Sequence, residues 1–306
     1  MVAILLLSSL LAAEFRTPAG NEITSRRPGA TSILPGGRMI NPAGRQTSTG
    51  PSPFGIAISP SGKRVVSADG GPSRPSLTII DNDSGQWRTK TILAKKSEPE
   101  EDELQNVFQG LAFDGERDLY VSEGSTGRVL LIDPASGKRR STFNLNQRGY
   151  RDSFSGDLAI DRNRSLLYVL DQANFRLAVF DLRRKQMLSN VRLGRLPFSI
   201  ALSPDGRRAY ITNIGTFEYQ ILPGVQQQQQ TRESALPFPA FGFSSSGSLQ
   251  STERTNIGGQ SVTVPALGDP NASESNSLAV VNTNVPAHPF VEKFIPTGNP
   301  QGKESE

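Results

Sequence analysis

The side chains of this sequence that could do chemistry are carboxylates, amides and a few aromatics. With no Cys there is no thiol nucleophile, no thiolate metal site and no disulfide. A single His, His288, cannot form a cluster of imidazole ligands, and neither metal nor Ser-His chemistry is expected. Isolated acids remain: Glu123 and Asp171 each close an apolar run, where a carboxylate could serve as a general base but more often caps a turn. No glycine-rich phosphate loop accompanies them. The expectation is therefore no catalytic residue, no metal and no cofactor. Asn174-Phe175 and Phe217-Glu218-Tyr219 add amide and aromatic groups of the kind that anchor a protein or small-molecule partner, although Phe175 and Tyr219 could equally cover sheet edges. Glu123, Asp171, Asn174, Phe175, Phe217 and Tyr219 are the candidate partner-binding residues.

These residues hang on a recurring unit. Leu196 to Asn213 reads Leu-Pro-Phe-Ser-Ile-Ala-Leu-Ser-Pro-Asp-Gly-Arg-Arg-Ala-Tyr-Ile-Thr-Asn, two short β-compatible runs around a Ser-Pro-Asp-Gly turn. The same text returns at Pro53 to Ala68, Phe108 to Glu123 and Phe154 to Asp171. Its leading phenylalanine recurs at Phe54, Phe108, Phe154 and Phe198, at spacings of 54, 46 and 44 residues, and the Asp that ends the third strand recurs at Asp81, Asp133 and Asp181. Four strands per unit at a period of about 40 to 50 residues indicate the blades of a β-propeller. The third-strand runs Leu77 to Ile80, Val129 to Ile132 and Leu177 to Phe180 are nearly continuously apolar, because stacked blades bury both sides of their middle strands. A sandwich or a barrel has no need to repeat its sequence in this way.

Around the repeats, residues 1–13 form an apolar run ending Leu-Leu-Ala-Ala, which suits a cleaved secretory signal although no Lys or Arg precedes it. Residues 14–37 read as an irregular leader. Arg38 to Gly50 reads as an isolated outer strand at the start of a repeat region spanning 38–299, and 300–306 as a tail. Ser97 to Glu103 is an acidic connection that reads as solvated. Residues 214–277 interrupt the fourth repeat with a five-Gln run (Gln226 to Gln230) and a Phe238, Phe241 and Phe243 cluster, a composition that builds no core of its own and predicts a flexible insertion.

Ser-Pro-Asp-Gly-Arg-Arg-Ala-Tyr-Ile-Thr-Asn resembles the YVTN-repeat β-propellers, extracytoplasmic proteins of bacteria. The segments Phe154-Ser155-Gly156-Asp157 and Asp171-Gln172-Ala173-Asn174-Phe175-Arg176 are similar to the propeller that precedes an alkaline-phosphatase-superfamily phosphoesterase domain in longer relatives. The resemblance implies an all-β propeller, a secreted or periplasmic location and, usually, seven blades. Only four are counted here, which leaves two expectations open: a chain cut down from a longer ring, with self-association if the ring is open, or four blades that close among themselves under strain. None of the phosphoesterase residues is present to carry over.

In a propeller, the turns within strand pairs one-two and three-four lie on one face, and the two-to-three and blade-to-blade loops lie on the other. The turn face carries Lys63, Arg64, Lys138, Arg139, Arg140, Arg162, Arg164, Arg183, Arg184, Lys185, Arg207 and Arg208, and reads as basic, able to meet an anionic partner such as a membrane surface. The loop face carries the acids and the candidate residues. A net charge of +4, with cations in twos and threes and no aromatic-basic platform, gives no sign of nucleic-acid binding. The leading expectation is an extracytoplasmic, non-catalytic propeller that binds a partner through its loop face; the alternative is a hydrolase of the propeller-lactonase type.

Overall fold

The computed structural model describes residues 16–27, 30–41, 43–71, 74–95, 103–218, 253–257, 260–264 and 266–297. The chain divides into two compact units, Met1–Ser48 and Thr49–Glu306. In the first, β1 (Ser32–Ile33) pairs antiparallel with β2 (Met39–Ile40), Ser32 opposite Ile40 and Ile33 opposite Met39. The turn between them is closed by Leu34 N to Arg38 O at 2.8 Å and Gly37 N to Leu34 O at 3.0 Å. This corrects two expectations. The strand at Met39 is not an isolated outer strand of a blade, because the Pro-Gly-Gly turn folds it onto Ser32–Ile33, and the leader is to that extent ordered.

The second unit is all β and, among the described residues, contains no helix. Four of its sheets each hold four antiparallel strands joined in sequence, as blades do. Blade one is β3 (Pro53–Ile58), β4 (Arg64–Asp69), β5 (Ser76–Asp83) and β6 (Gln86–Leu93). Blade two is β7 (Leu111–Asp114), β8 (Asp118–Ser122), β9 (Arg128–Ile132) and β10 (Arg139–Asn144). Blade three is β11 (Ser155–Asp161), β12 (Leu166–Asp171), β13 (Arg176–Asp181) and β14 (Gln186–Arg192). Blade four begins with β15 (Pro197–Leu202) and β16 (Arg208–Asn213), then waits for β19 (Ser277–Asn282) and β20 (Phe290–Pro296). The insertion before β19 is not without structure: β17 (Glu253–Ile257) and β18 (Gln260–Val264) form a hairpin within it. The Gln run, the Phe238, Phe241 and Phe243 cluster, the signal-like run, the tail and all of the acidic connection but Glu103 lie outside the described residues.

Successive inner strands lie side by side, β3 against β7, β7 against β11 and β11 against β15. The pleat then sorts each blade into a near face toward the preceding blade and a far face toward the next. In blade three, Leu158, Val169 and Ala178 are in register on the near face with Ile160, Leu167 and Phe180, while Ala159, Tyr168 and Val179 line the far face. Three cores result. Blade one's Val66, Ala68, Leu77 and Ile79 meet Leu111 and Phe113 of blade two, and blade two's Tyr120 and Val129 meet Leu158 and Val169 of blade three. Blade three's Tyr168 and Val179 meet Ile200 and Ile211 of blade four. The middle blades therefore bury both faces, which is why their strands read as unbroken apolar runs.

Two local devices shape the ends of the blades. At the turn face, Ser203 accepts from Gly206 N at 2.8 Å, and Asp205 takes the Ser203 hydroxyl and Arg207 N at 2.6 and 3.0 Å. Gly206 there adopts φ of +68°, so Asp-Gly is a structural requirement of the turn. At the loop face, Pro53 pairs with Asp69 but Gly55 with Ala68, and Pro197 with Asn213 but Ser199 with Thr212. Phe54 and Phe198 are thus the extra residues of bulges, which turn the leading phenylalanine out of the ladder.

Candidate functional site

The second strand of every blade ends in, or in blade two is followed directly by, a hydrogen-bonding acid or amide: Asp69, Glu123, Asp171 and Asn213. The third strand of each begins with its partner, Ser76, Arg128, Arg176 and Ser277. Glu123 pairs with Arg128 at 2.6 Å and accepts from Gln105 N at 2.8 Å and Thr126 Oγ1 at 3.0 Å. Asp171 pairs with Arg176 at 2.9 Å and accepts from Phe154 N, Asn174 N and Asn174 Nδ2. Asp69 takes the hydroxyls of Ser67 at 2.7 Å and Thr78 at 2.6 Å and Gly50 N at 3.0 Å. Asn213 donates to Ser277 Oγ at 3.1 Å. All three carboxylates have no exposed surface.

This arrangement answers the sequence-derived site. Glu123 and Asp171 are brought to the same level of adjacent blades, but as clasps of the two-to-three loops, with their lone pairs engaged and no access for a substrate or partner. Phe175 is 3% exposed and adopts φ of +49°, standing where blade two has Gly127 at +67°, so it is a packed turn residue and not a surface anchor. Asn174 is half-buried and completes the clasp, its amide reaching Asp171 Oδ2 at 2.9 Å and Ser153 Oγ at 3.2 Å. Phe217 is half-buried at the start of the insertion. Tyr219 lies outside the described residues.

What the sequence reading missed as a site was in its own alignment of repeats. The leading phenylalanines make a ladder across the loop face: Phe54 and Phe108 have ring centroids 5.9 Å apart, and Phe108 and Phe154 meet edge to face at 4.9 Å. Gly124 permits this closeness, since a Cβ there would stand 3.1 Å from Cζ of Phe154. Phe54 ends the ladder 60% exposed. Beside it the amide of Gln109, from blade two, donates to the Phe198 carbonyl of blade four. Gln172 is 1% exposed, and neither its amide nitrogen nor its amide oxygen has a hydrogen-bond partner among the described residues.

Two further charged groups stand out. Asp157, on the inner strand of blade three, accepts from Ser199 Oγ at 2.8 Å and Ile200 N at 3.0 Å, and burial pushes its carboxyl above the ordinary carboxylate range. Arg195 is sealed at the root of the insertion, donating to the carbonyls of Thr216 and Asp269 at 2.6 Å each, with Glu218 and Glu274 both 3.5 Å away.

On the turn face the cations are answered locally. Arg64 pairs with Asp81, Arg140 with Asp118 and Asp133, Arg164 with Asp161, and Arg208 with Glu292. These pairs leave less free positive charge than a count of its cations implies.

No protein-family model matches the sequence, and neither does any curated protein. Among solved structures the chain is similar to a protein from Lactobacillus plantarum, at 14% identity and a TM-score of 0.45 over 86% of this chain and 75% of that one. It is also similar to the hydrazine synthase of Kuenenia stuttgartiensis, at 12% identity and a TM-score of 0.43 over 83% of this chain and 69% of that one.

Proposed function

We propose that this chain is an exported, non-catalytic propeller of the YVTN type whose loop face binds a protein partner through the phenylalanine ladder. The observation that carries this reading is a contrast on one face: the carboxylates at the strand ends are sealed and paired, while Phe54 leaves an apolar ring 60% exposed beside Phe108. Aromatic side chains rigidly set by neighbours lose little entropy on docking and dominate the energy of protein interfaces. A lactonase-type hydrolase would need a carboxylate free to reach its substrate, and Glu123 and Asp171 are not free. Export rests on the apolar run at 1–13 and on the resemblance of the repeat text to extracytoplasmic propellers.

A photo-crosslinking residue placed at position 54, and as a control at position 205 on the turn face, tests this in the source cells. The expected result is one discrete adduct from position 54, of a mass other than two copies of this chain, and none from position 205. No adduct from position 54, or hydrolysis of a lactone panel by the purified chain, would overturn it. Fractionation of the same cells should find the chain outside the cytoplasm.

A further inference from the structure

Every contact between blades is made by the same pair of surfaces. The inner strand of each later blade turns two apolar side chains onto the preceding blade: Leu111 and Phe113 are 9% and 3% exposed, Leu158 is 5%, and Ile200 is 9%. Blade one has the same pair at the same register, Ile56 and Ile58, but they are 71% and 61% exposed. The far face shows the converse. Tyr120 and Tyr168 hold the middle of the far face in blades two and three and are 4% and 0% exposed. Tyr210 holds that position in blade four and is 37% exposed. At Ile56, Ile58 and Tyr210 the near face of blade one and the far face of blade four are thus complementary by the chain's own packing rule and uncovered within one chain, whereas Ser67, Thr78 and Val280 beside them are buried, with Gly50 N bonded to the Thr78 hydroxyl at 3.1 Å.

We propose that two copies of this chain associate head to tail, the far face of blade four of each copy seated on the near face of blade one of the other. Two such contacts related by a two-fold axis close a ring of eight blades, within the range that propellers adopt. The free area, confined to the inner strands and Tyr210, is below the about 800 Å² per partner of a standard interface, so the pair exchanges with single copies as the protein is diluted. A symmetric near-to-near pairing would cover Ile56 and Ile58 but leave Tyr210 in water. The contact lies on the blade faces, apart from the loop face and its phenylalanine ladder.

The absence of native cysteine makes the test direct. Full-length Ile58→Cys and Tyr210→Cys variants are prepared separately, mixed, oxidised and run without reductant, and native mass is measured on the unmodified chain. The expected results are a crosslinked dimer from the mixture, none from either variant alone, and a native mass that rises from one chain to two with concentration and goes no further. Ile58→Lys, which places a charge on a side chain that is exposed in the single copy, should keep the far-UV spectrum and raise the dissociation constant about a hundredfold. A monomer at every concentration, a crosslink from Ile58→Cys alone, a mass that climbs past two chains as in an open filament, or an unchanged dissociation constant in Ile58→Lys would each overturn the proposal.

Discussion

Arg176 and Asp171 meet in an ion pair that solvent does not reach, Nε to Oδ2 at 2.9 Å, with side chains 1% and 0% exposed. The guanidinium also donates to the Leu145 carbonyl at 2.6 Å and lies 3.6 Å over the Tyr150 ring, so the pair fastens the loop of blade three to the chain leaving blade two. Removing one partner strands a buried charge, which costs roughly 3 kcal/mol or more, whereas removing both costs less than the sum. Asp171→Ala should therefore lose about 3 kcal/mol in urea unfolding, and Asp171→Ala with Arg176→Met should recover part of it. A loss under about 1 kcal/mol for the single variant would mean that the clasp is solvated in solution.

Acid and base should act on different carboxylates. Burial raises the Asp157 carboxyl, so its share of stability is whole below the ordinary carboxylate range and is lost as pH rises through the raised value. Asp133, Asp181 and Asp205 are held below that range, chiefly by the Arg140 side chain, the Arg184 backbone N–H and the Ser203 hydroxyl respectively. Their shares are whole above the ordinary range and are lost as pH falls. Carboxyl carbon NMR should show Asp157 titrating last of these four as pH rises; Asp157 titrating with or before Asp133 would contradict its burial.

The strands were legible because the repeat states each of them several times over: Arg64 to Ala68, Leu177 to Phe180 and Leu278 to Val281 lie within observed strands, extended by a residue or two. The Asp-Gly turn is legible for the same reason that it folds, since Gly206 supplies a positive φ. The site was less so. Asp171 and Glu123 look exposed in sequence because they follow apolar runs, but their partners Arg176 and Arg128 stand five residues on, and that recurring spacing was the available sign of a clasp. Phe54, Phe108 and Phe154 were visible as markers of the period, yet their mutual contact depends on how blades stack, which one blade's text does not contain. Met39 misled because a two-residue strand is set by its turn more than by its own residues.

Arg195 joins both ends of the insertion through the Thr216 and Asp269 carbonyls, and its backbone N–H adds a third bond, to the Glu274 carbonyl at 3.1 Å. Arg195→Met keeps much of the side-chain volume and removes the two charge-assisted guanidinium bonds, a local cost of about 2 kcal/mol. The root should then open locally before the blades do. Limited proteolysis should cut within 214–277 at least about tenfold faster in the variant, while the urea midpoint of the blades shifts little. Equal cleavage rates would show that the insertion is held at its root by other bonds.

The repeat also supplies an internal control for burial. Ile56 and Ile200 occupy the same position of the inner strand, four residues before the Pro of the turn in each case, yet one is 71% exposed and the other 9%. Ile200→Ala removes buried methyl groups from the core between blades three and four and should cost about 3 kcal/mol at any protein concentration. Ile56→Ala, in dilute solution where single copies prevail, should stay within about 0.5 kcal/mol of the parent, as a surface change does. At concentrations that favour the head-to-tail pair, Ile56→Ala should become destabilising while Ile200→Ala keeps the same cost relative to the parent. Equal losses for the two variants in dilute solution would mean that the near face of blade one is already covered within a single chain.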